Sequence, residues 1–419
     1  MTWMTKWAGG FPLYLERAEG ARVVDVDGNN YADFALGDTG AMAGHSPAAV
    51  IAAVRDRVTE RGGITAMLPT EDAEWVAAEL CRRFGLPLWS FTLSATDANR
   101  WAIRLARLVT GRRRILVFSQ SYHGSVDETF IVLDAQNRPR SRPGNVAPAV
   151  DPTETTRVAH FNDLPSVERE LAHGDVAVIV TEPALTNIGI VLPEPGFLDG
   201  LAALAKRYGC LLLIDETHTF SAGPGGMTAT EGLDPDILVI GKSIGGGIPC
   251  GAYGISQDIA NRVTALVAKG EADIDDVGGV GGTLAGNALS TAAMRATLSS
   301  VLVDTAFAHM IELATRYTAG VQTTIDDHGL DWSVTQLGAR AEYRFARPAP
   351  RTGNDSAAAA APLLDEYLHL YLSNRGVLLT PFHNMALMSP ATRSEDVDMH
   401  IELFNAAVAE LAGGIRSSA

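Results

Sequence analysis

The sequence predicts an α/β fold in which a large domain built on a mainly parallel sheet carries a smaller α+β domain. Three observations predict it. The runs WSFTL (89–93), RILVF (114–118), VAVIVTEP (176–183), CLLLID (210–215) and DILVIG (236–241) are continuously apolar rather than alternating, the mark of strands buried on both faces. Helical segments separate them, as right-handed crossovers between parallel strands require. A chain of 419 residues can bury a core of that size without disulfide or metal staples.

The elements follow in order. The first twenty residues read as an arm, and RVVDVDGNNYADF as a hairpin around the turn pair Asp27-Gly28. Pro47 to Arg61 is helical, with Val50, Val54 and Val58 recurring every four residues before the Gly62-Gly63 stop. A second helix follows Thr70, an N-cap with Glu71 and Asp72 in the first turn. Asp97 to Val109 forms a third, ended by Thr110-Gly111, and Phe197 to Tyr208 another. The stretch 134–157 is rich in proline and polar residues and reads as a long surface loop. Beyond about residue 300, long helices, a strand at 338–346 and a Pro-Ala-rich stretch at 347–362 make up the small domain. The expected division is 1–50 (arm and hairpin, part of the small domain), 51–305 (large domain) and 306–419 (C-terminal small domain).

A formal charge of −16, from 33 basic against 49 acidic residues, repels phosphate backbones and anionic lipid. Nucleic acid and membrane are therefore poor partners. The three cysteines, Cys81, Cys210 and Cys250, form no CxxC and suit buried thiols of a reducing compartment. The N-terminus lacks the apolar stretch of a signal peptide, and no run approaches the ~18 apolar residues of a membrane span. A cytoplasmic enzyme is expected.

In open parallel sheets, ligands bind beyond the carboxyl ends of the strands, and four polar signals fall there. Ser94-Ala95-Thr96-Asp97 opens a helix, where free N–H groups and the dipole favour a phosphate; taken alone it reads first as an ordinary N-cap at Ser94 or Thr96. Asp215 closes an apolar strand, so it needs a cation or ligand, or else a structural ion partner. Glu216 and His218 follow it, without a third metal ligand at a suggestive spacing. Lys242 comes just after strand 236–241, where a lysine reacts or pairs. Gly241-Lys242-Ser243 cannot end a P-loop, because Asp236 stands where glycine is required. The match of 241–245 to the nucleophile elbow G-x-S-x-G is accidental in a Gly-rich loop followed by Pro249. Ser121-Tyr122-His123-Gly124 offers Tyr122 as an aromatic plate, or as a half-buried loop residue. Together a phosphate cradle, an aromatic plate, a buried carboxylate and a buried lysine are what pyridoxal 5'-phosphate requires.

The chain resembles the class III pyridoxal-phosphate-dependent aminotransferases, in particular their glutamate-1-semialdehyde aminomutase-like branch. The resemblance runs from FPLYLERAEGARVVDVDGNNYADF through TLSATDANRWAIRLARLVTGR, YHG, TEPALTNIGIVLPEPGFL, LLLIDETHTF and VIGKSIGGGIPCGAYG to GGTLAGNALSTAA and RGVLLTPFHN. It implies fold type I and a homodimer with active sites shared between subunits. By position, Lys242 is the Schiff-base lysine and Asp215 the partner of the pyridine nitrogen. Ala95 and Thr96 hold the phosphate, Tyr122 lies against the ring, Asn187 approaches the phenolic oxygen, and Thr283 reaches the phosphate of the partner subunit. Glu182 is a supporting residue.

Three departures stand out. Ala95 replaces a glycine, Thr217 stands where a valine commonly packs under the ring, and Thr219-Phe220-Ser221-Ala222 lacks the arginine often found there. The expected activity is an amino transfer by a ping-pong mechanism from an amino acid or amine to a carbonyl acceptor, with an aminomutase or racemase as the alternative. Arg340 is the candidate for gripping a substrate carboxylate, its strand being expected to turn Arg340, Glu342 and Arg344 to one wet face.

Overall fold

A computed structural model of the chain describes residues 12–274 and 279–417; the expected arm before residue 12 lies outside the described residues. Strands β1 (Leu15–Glu19), β2 (Arg22–Asp25) and β3 (Asn30–Asp33) form an antiparallel N-terminal sheet. The β2–β3 hairpin turns at Asp27-Gly28 as expected, with Gly28 at φ +84°. Then come β4 (Leu88–Thr92), β5 (Arg114–Phe118), a short hairpin of β6 (Ile131–Leu133) and β7 (Pro139–Ser141), β8 (Thr156–Ala159), β9 (Val176–Thr181), β10 (Leu211–Asp215), β11 (Ile237–Gly241) and β12 (Gly251–Ile255). Seven of these make the large sheet in the order β4-β12-β11-β10-β9-β5-β8. All run parallel except β12, which is antiparallel to both neighbours. Every residue of β9, β10 and β11 is buried, which is why these strands read as unbroken apolar runs.

Two strands of this sheet differ from the sequence reading. The expected surface loop at 134–157 contains β7 and the start of β8, a polar-looking TRVA whose Arg157 is tied to Asp175 by paired hydrogen bonds at 2.6 and 2.8 Å. β12 carries glycines because its neighbours leave no room: a Cβ at Gly251 would sit 2.5 Å from Thr92 Oγ1, and one at Gly254 2.8 Å from the Trp89 ring. Glycine is a poor strand signal, so the strand that joins β4 to the rest of the sheet is hidden in the sequence.

The helices α1 (Ala48–Asp56), α2 (Glu71–Phe84) and α3 (Ala95–Thr110) begin and end by local chemistry. Thr70 Oγ1 accepts the Ala73 N–H at 3.1 Å, and Gly85 and Gly111 stop α2 and α3 in the left-handed region. α3 starts two residues earlier than expected, which places the Ser94 cap directly at the strand ends.

In the C-terminal part, β13 (Ser333–Leu337), β14 (Arg340–Arg344) and β16 (Met385–Leu387) form a three-stranded sheet, while β15 (Val377–Leu378) pairs parallel with β3. The expected wet face of β14 is corrected: all five of its residues are buried. β14 is the central strand. Tyr343 packs on Trp332 and Phe404, and the polar face turns inward toward Thr39, Ser221 and His383. Cys81, Cys210 and Cys250 are free thiols. Among the described residues no helix is long and apolar enough to cross a membrane.

Candidate functional site

The parallel strands β4, β5, β9, β10 and β11 all deliver their carboxyl ends to one edge, and a cavity of about 460 Å³ opens there. Its wall joins Ser94, Ala95 and Thr96 after β4, Tyr122 and Gly124 after β5, and Glu182 after β9. Asp215, Thr217 and His218 line it after β10, and Lys242 after β11. Six of the nine predicted site residues, Ala95, Thr96, Tyr122, Asp215, Thr217 and Lys242, therefore meet across a span of more than a hundred positions.

The cradle is built by α3. Ser94 Oγ accepts the Asp97 N–H at 3.2 Å, leaving the earlier N–H groups of the helix for an anion. Ala95 has ordinary helical backbone, so the alanine in place of glycine costs no strain here. The compensation lies across the strand: a Cβ on Gly241 would stand 3.0 Å from the Ala95 Cβ. Thr96 Oγ1 accepts the Ser125 N–H at 3.2 Å, and Gly124 (φ +78°) passes so close that a Cβ there would lie 2.2 Å from that oxygen. Only glycine fits.

Asp215 is held by three hydrogen bonds. Its carboxylate accepts from Asn99 Nδ2 at 2.8 Å, His123 Nδ1 at 3.0 Å and the Thr217 N–H at 3.1 Å. Burial by itself would raise its pKa, but these donors and the His123 charge hold the carboxyl below the ordinary carboxylate range. Because a carboxylate only accepts, His123 must carry its proton on Nδ1. Asn99 and His123 were not predicted as site residues. Asn99 lies one turn into α3 on its buried face, and His123 adjoins Tyr122, the neighbour chosen from the sequence.

Lys242 sits at φ +50°, an uncommon conformation for a residue with a side chain and a frequent feature of functional sites. Its Nζ donates to Asp38 Oδ2 at 2.7 Å, to the Asp38 carbonyl at 3.0 Å and to His218 Nε2 at 2.5 Å. Burial works against the Asp38 charge, yet the adjacent Lys242 ammonium, which also donates a hydrogen bond to it, keeps its carboxyl far below the usual range. His218 Nδ1 lies 2.7 Å from Thr186 Oγ1, and Thr186 in turn donates a short hydrogen bond to Glu182 Oε2. Burial pushes Glu182 up to about 7, against the lowering pull of His123 and Thr186. Asp38, Thr186 and His218 carry no local signal of this role, since they meet Lys242 only through the fold.

The remaining predicted positions lie outside the cavity wall. Asn187 is half-buried in the loop after Glu182, bridged to Gly189. Thr283 is exposed, in the turn before the helix Ala288–Ser300. Arg340 is completely buried: Nε donates to Ser221 Oγ at 2.8 Å and Nη2 to Thr39 Oγ1 at 2.9 Å, while Nη1 meets Met385 Sδ. Burial lowers its guanidinium pKa to about 10. Ser243, from the apparent nucleophile elbow, is sealed in a single tight turn and does not line the cavity.

The cavity fits pyridoxal phosphate on its own chemistry. It offers a helix N-terminus for a phosphate, a fixed buried carboxylate for a ring nitrogen, and a lysine within the same wall. Thr217 Oγ1 is buried there without a hydrogen-bond partner, as is His123 Nε2. Comparison with known proteins gives the same direction. The model of the family Aminotransferase class-III matches residues 3–408. A glutamate-1-semialdehyde 2,1-aminomutase of Thermomicrobium roseum is 33% identical over 413 residues, covering 97% of this chain and 93% of that protein. The structure of a glutamate-1-semialdehyde-aminomutase from Pseudomonas aeruginosa PAO1 superposes with a TM-score of 0.94 at 51% identity, covering 98% of this chain and 90% of the other. A variant of that protein has been solved in complex with PMP. An omega-transaminase from Sphaerobacter thermophilus reaches a TM-score of 0.87 at 27% identity, covering 98% and 93%.

Proposed function

The chain belongs to the class-III aminotransferases, fold type I enzymes that use pyridoxal phosphate, and on that premise we propose that it is an aminomutase. It would move an amino group between neighbouring carbons of an amino aldehyde bearing a carboxylate, as in glutamate 1-semialdehyde. The observation that carries this reading is the 51% identity, across 98% of the chain, to the Pseudomonas aminomutase. It favours the alternative of the sequence reading over ping-pong transfer between two substrates. The transaminase reading keeps support from the Sphaerobacter neighbour.

In this reading Lys242 carries the cofactor, Asp215 holds a proton on its ring nitrogen, and Ala95 and Thr96 bind its phosphate. Tyr122 and Thr217 pack against the ring, and Asn187 reaches its phenolic oxygen. The bound cofactor supplies an electron sink for the pair left when a proton leaves the amino-bearing carbon. The protein supplies the rest. The fixed donors around Asp215 keep that carboxylate ionised, and the Lys242 amine, flanked by Asp38 and His218, takes up and returns the proton. Arg340 is assigned the substrate carboxylate, because its buried guanidinium has hydroxyls and a sulfur, not a carboxylate, as hydrogen-bond partners. The enzyme is read as a cytoplasmic homodimer in which Thr283, exposed on one chain, serves the partner's cofactor. The domain division 1–50, 51–305 and 306–419 belongs to the same reading, supported by the pairing of β15 with β3.

The test is to supply glutamate 1-semialdehyde alone. Conversion to 5-amino-4-oxopentanoate, with no added amino donor or acceptor, is expected. Release of a keto acid, with turnover that depends on a second carbonyl substrate, would instead establish the transaminase.

A further inference from the structure

Lys242 is the first member of a continuous hydrogen-bonded chain that ends on a buried carboxyl group. Its Nζ reaches His218 Nε2 at 2.5 Å, His218 Nδ1 reaches Thr186 Oγ1 at 2.7 Å, and Thr186 bonds Glu182 Oε2. Donor directions follow from the end groups. The lysine can only donate, so His218 Nε2 is bare; the Glu182 carboxylate can only accept, so Thr186 donates to it. His218 Nδ1–H must then donate to Thr186. Every proton points from Lys242 toward Glu182. Thr186, His218 and Glu182 are all buried, and Glu182 Oε1 has no hydrogen-bond partner.

We propose that His218, Thr186 and Glu182 form a proton relay that takes a proton from Lys242 and stores it on Glu182, which makes His218 a catalytic residue and the other two positioning residues. The transfer balances. The Lys242 N–H bond breaks as His218 Nε2–H forms, His218 Nδ1–H passes to Thr186 Oγ1, and the Thr186 hydroxyl proton passes to Glu182. The result is a neutral lysine amine and a neutral carboxylic acid, with every hydrogen bond reversed and ready for the return. Two charges in a poorly solvated wall are removed together.

The surroundings suit the parts. Lys242, Asp38, Arg340 and Asp215 face His218, and burial together with the Lys242 charge holds its imidazole well below the usual histidine range, so it passes protons without keeping one. His123, Asp215 and Arg340 face Glu182, which titrates at about 7 and can both hold and release a proton near neutrality. The relay rests on Lys242 as the reactive amine and not on which carbonyl compound the enzyme converts.

The test follows the attachment of added pyridoxal phosphate to the cofactor-free full chain, by absorbance and by borohydride fixation at Lys242. Attachment needs the neutral amine, so His218→Ala should slow it by ~10²-fold at neutral pH, and free imidazole should restore much of the rate. Thr186→Val should slow it less, with Thr186→Ser near wild type. In wild type the rate should rise through about pH 7 as Glu182 ionises, and Glu182→Gln should remove that rise. Should His218→Ala fold poorly, nitrogen-15 histidine spectra of the wild-type chain provide a second reading: a single ring proton, on Nδ1 while the proton is at Lys242 and on Nε2 once it is stored on Glu182. Wild-type attachment by His218→Ala, slow attachment that imidazole leaves unchanged, or a His218 ring protonated on both nitrogens at neutral pH would overturn the relay. Failure of the semialdehyde assay, with this pattern intact, would remove the assigned reaction and leave the relay standing.

Discussion

The ends of β10 and β11 are neighbours in one sheet and are built on opposite plans. At the end of β10, Asp215 is fixed by three donors, from α3, from the loop after β5 and from the turn that follows it, which favour its ionised form. At the end of β11, Lys242 follows a glycine in a left-handed turn and its amine faces acceptors on two sides, Asp38 and His218. One strand end holds a charge still and the other offers a proton somewhere to go. In the proposed reading, the sheet separates the electrostatic task from the mobile one by a single strand spacing.

The largest effect that could break this comparison is expected from Lys242→Ala. Turnover should vanish almost entirely and the protein should lose its borohydride-fixable cofactor, because amine and proton carrier are one group. Near-normal turnover would end the assignment. Asp215→Asn keeps the shape and removes the charge, so a loss of ~10²-fold in turnover is expected, with a smaller loss of cofactor affinity. It should also flatten the acid limb of stability. The carboxyl is held low in the folded chain, so its contribution is present above the unfolded value of about 4 and is lost as pH falls. Urea titrations from pH 7 to pH 3 would show whether the wild-type slope disappears.

Smaller effects sharpen the picture. Arg340→Met should raise the Michaelis constant for carboxylate-bearing substrates about tenfold, the scale of one charged hydrogen bond, while sparing amines without a carboxylate. Equal effects on both would make Arg340 a packing residue alone. Gly124→Ala meets the Thr96 hydroxyl in a left-handed turn and should cost about 1–3 kcal/mol, seen as a lower melting temperature and weaker cofactor binding. Thr283→Ala is expected to weaken cofactor affinity several-fold, and dilution of wild type to monomers should do the same. A fully active monomer would refute the shared site.

The strands that position Asp215 and Lys242 were legible because burial on both faces forces unbroken apolar runs, and a polar residue closing such a run stands out. Ser94 was legible because caps are local chemistry. β12 was not, since close packing on Thr92 and Trp89 selects glycines that weaken a strand's signature. The wet face expected of β14 failed for a related reason: alternation shows that two faces differ, not that one meets water. His218 was noticed as a stray metal candidate beside Asp215. Its partner Thr186 is 32 residues away and Asp38 lies 204 residues from Lys242, so no spacing rule could have joined them.

The buried Arg340 joins Thr39, Ser221 and Met385, at sequence separations of 301, 119 and 45 residues. Thr39 is the neighbour of Asp38, so the acceptor beside Lys242 is anchored by a strand made near the end of synthesis. A nascent chain that has already laid down β4 to β12 holds its lysine and its aspartate, yet lacks the clamp that sets the amine's surroundings. Long-range closures of this kind form late in folding. Competence to take up the cofactor should therefore arrive abruptly, when the last fifth of the chain docks, and a ribosome-stalled fragment ending before residue 339 should fold its large sheet without it.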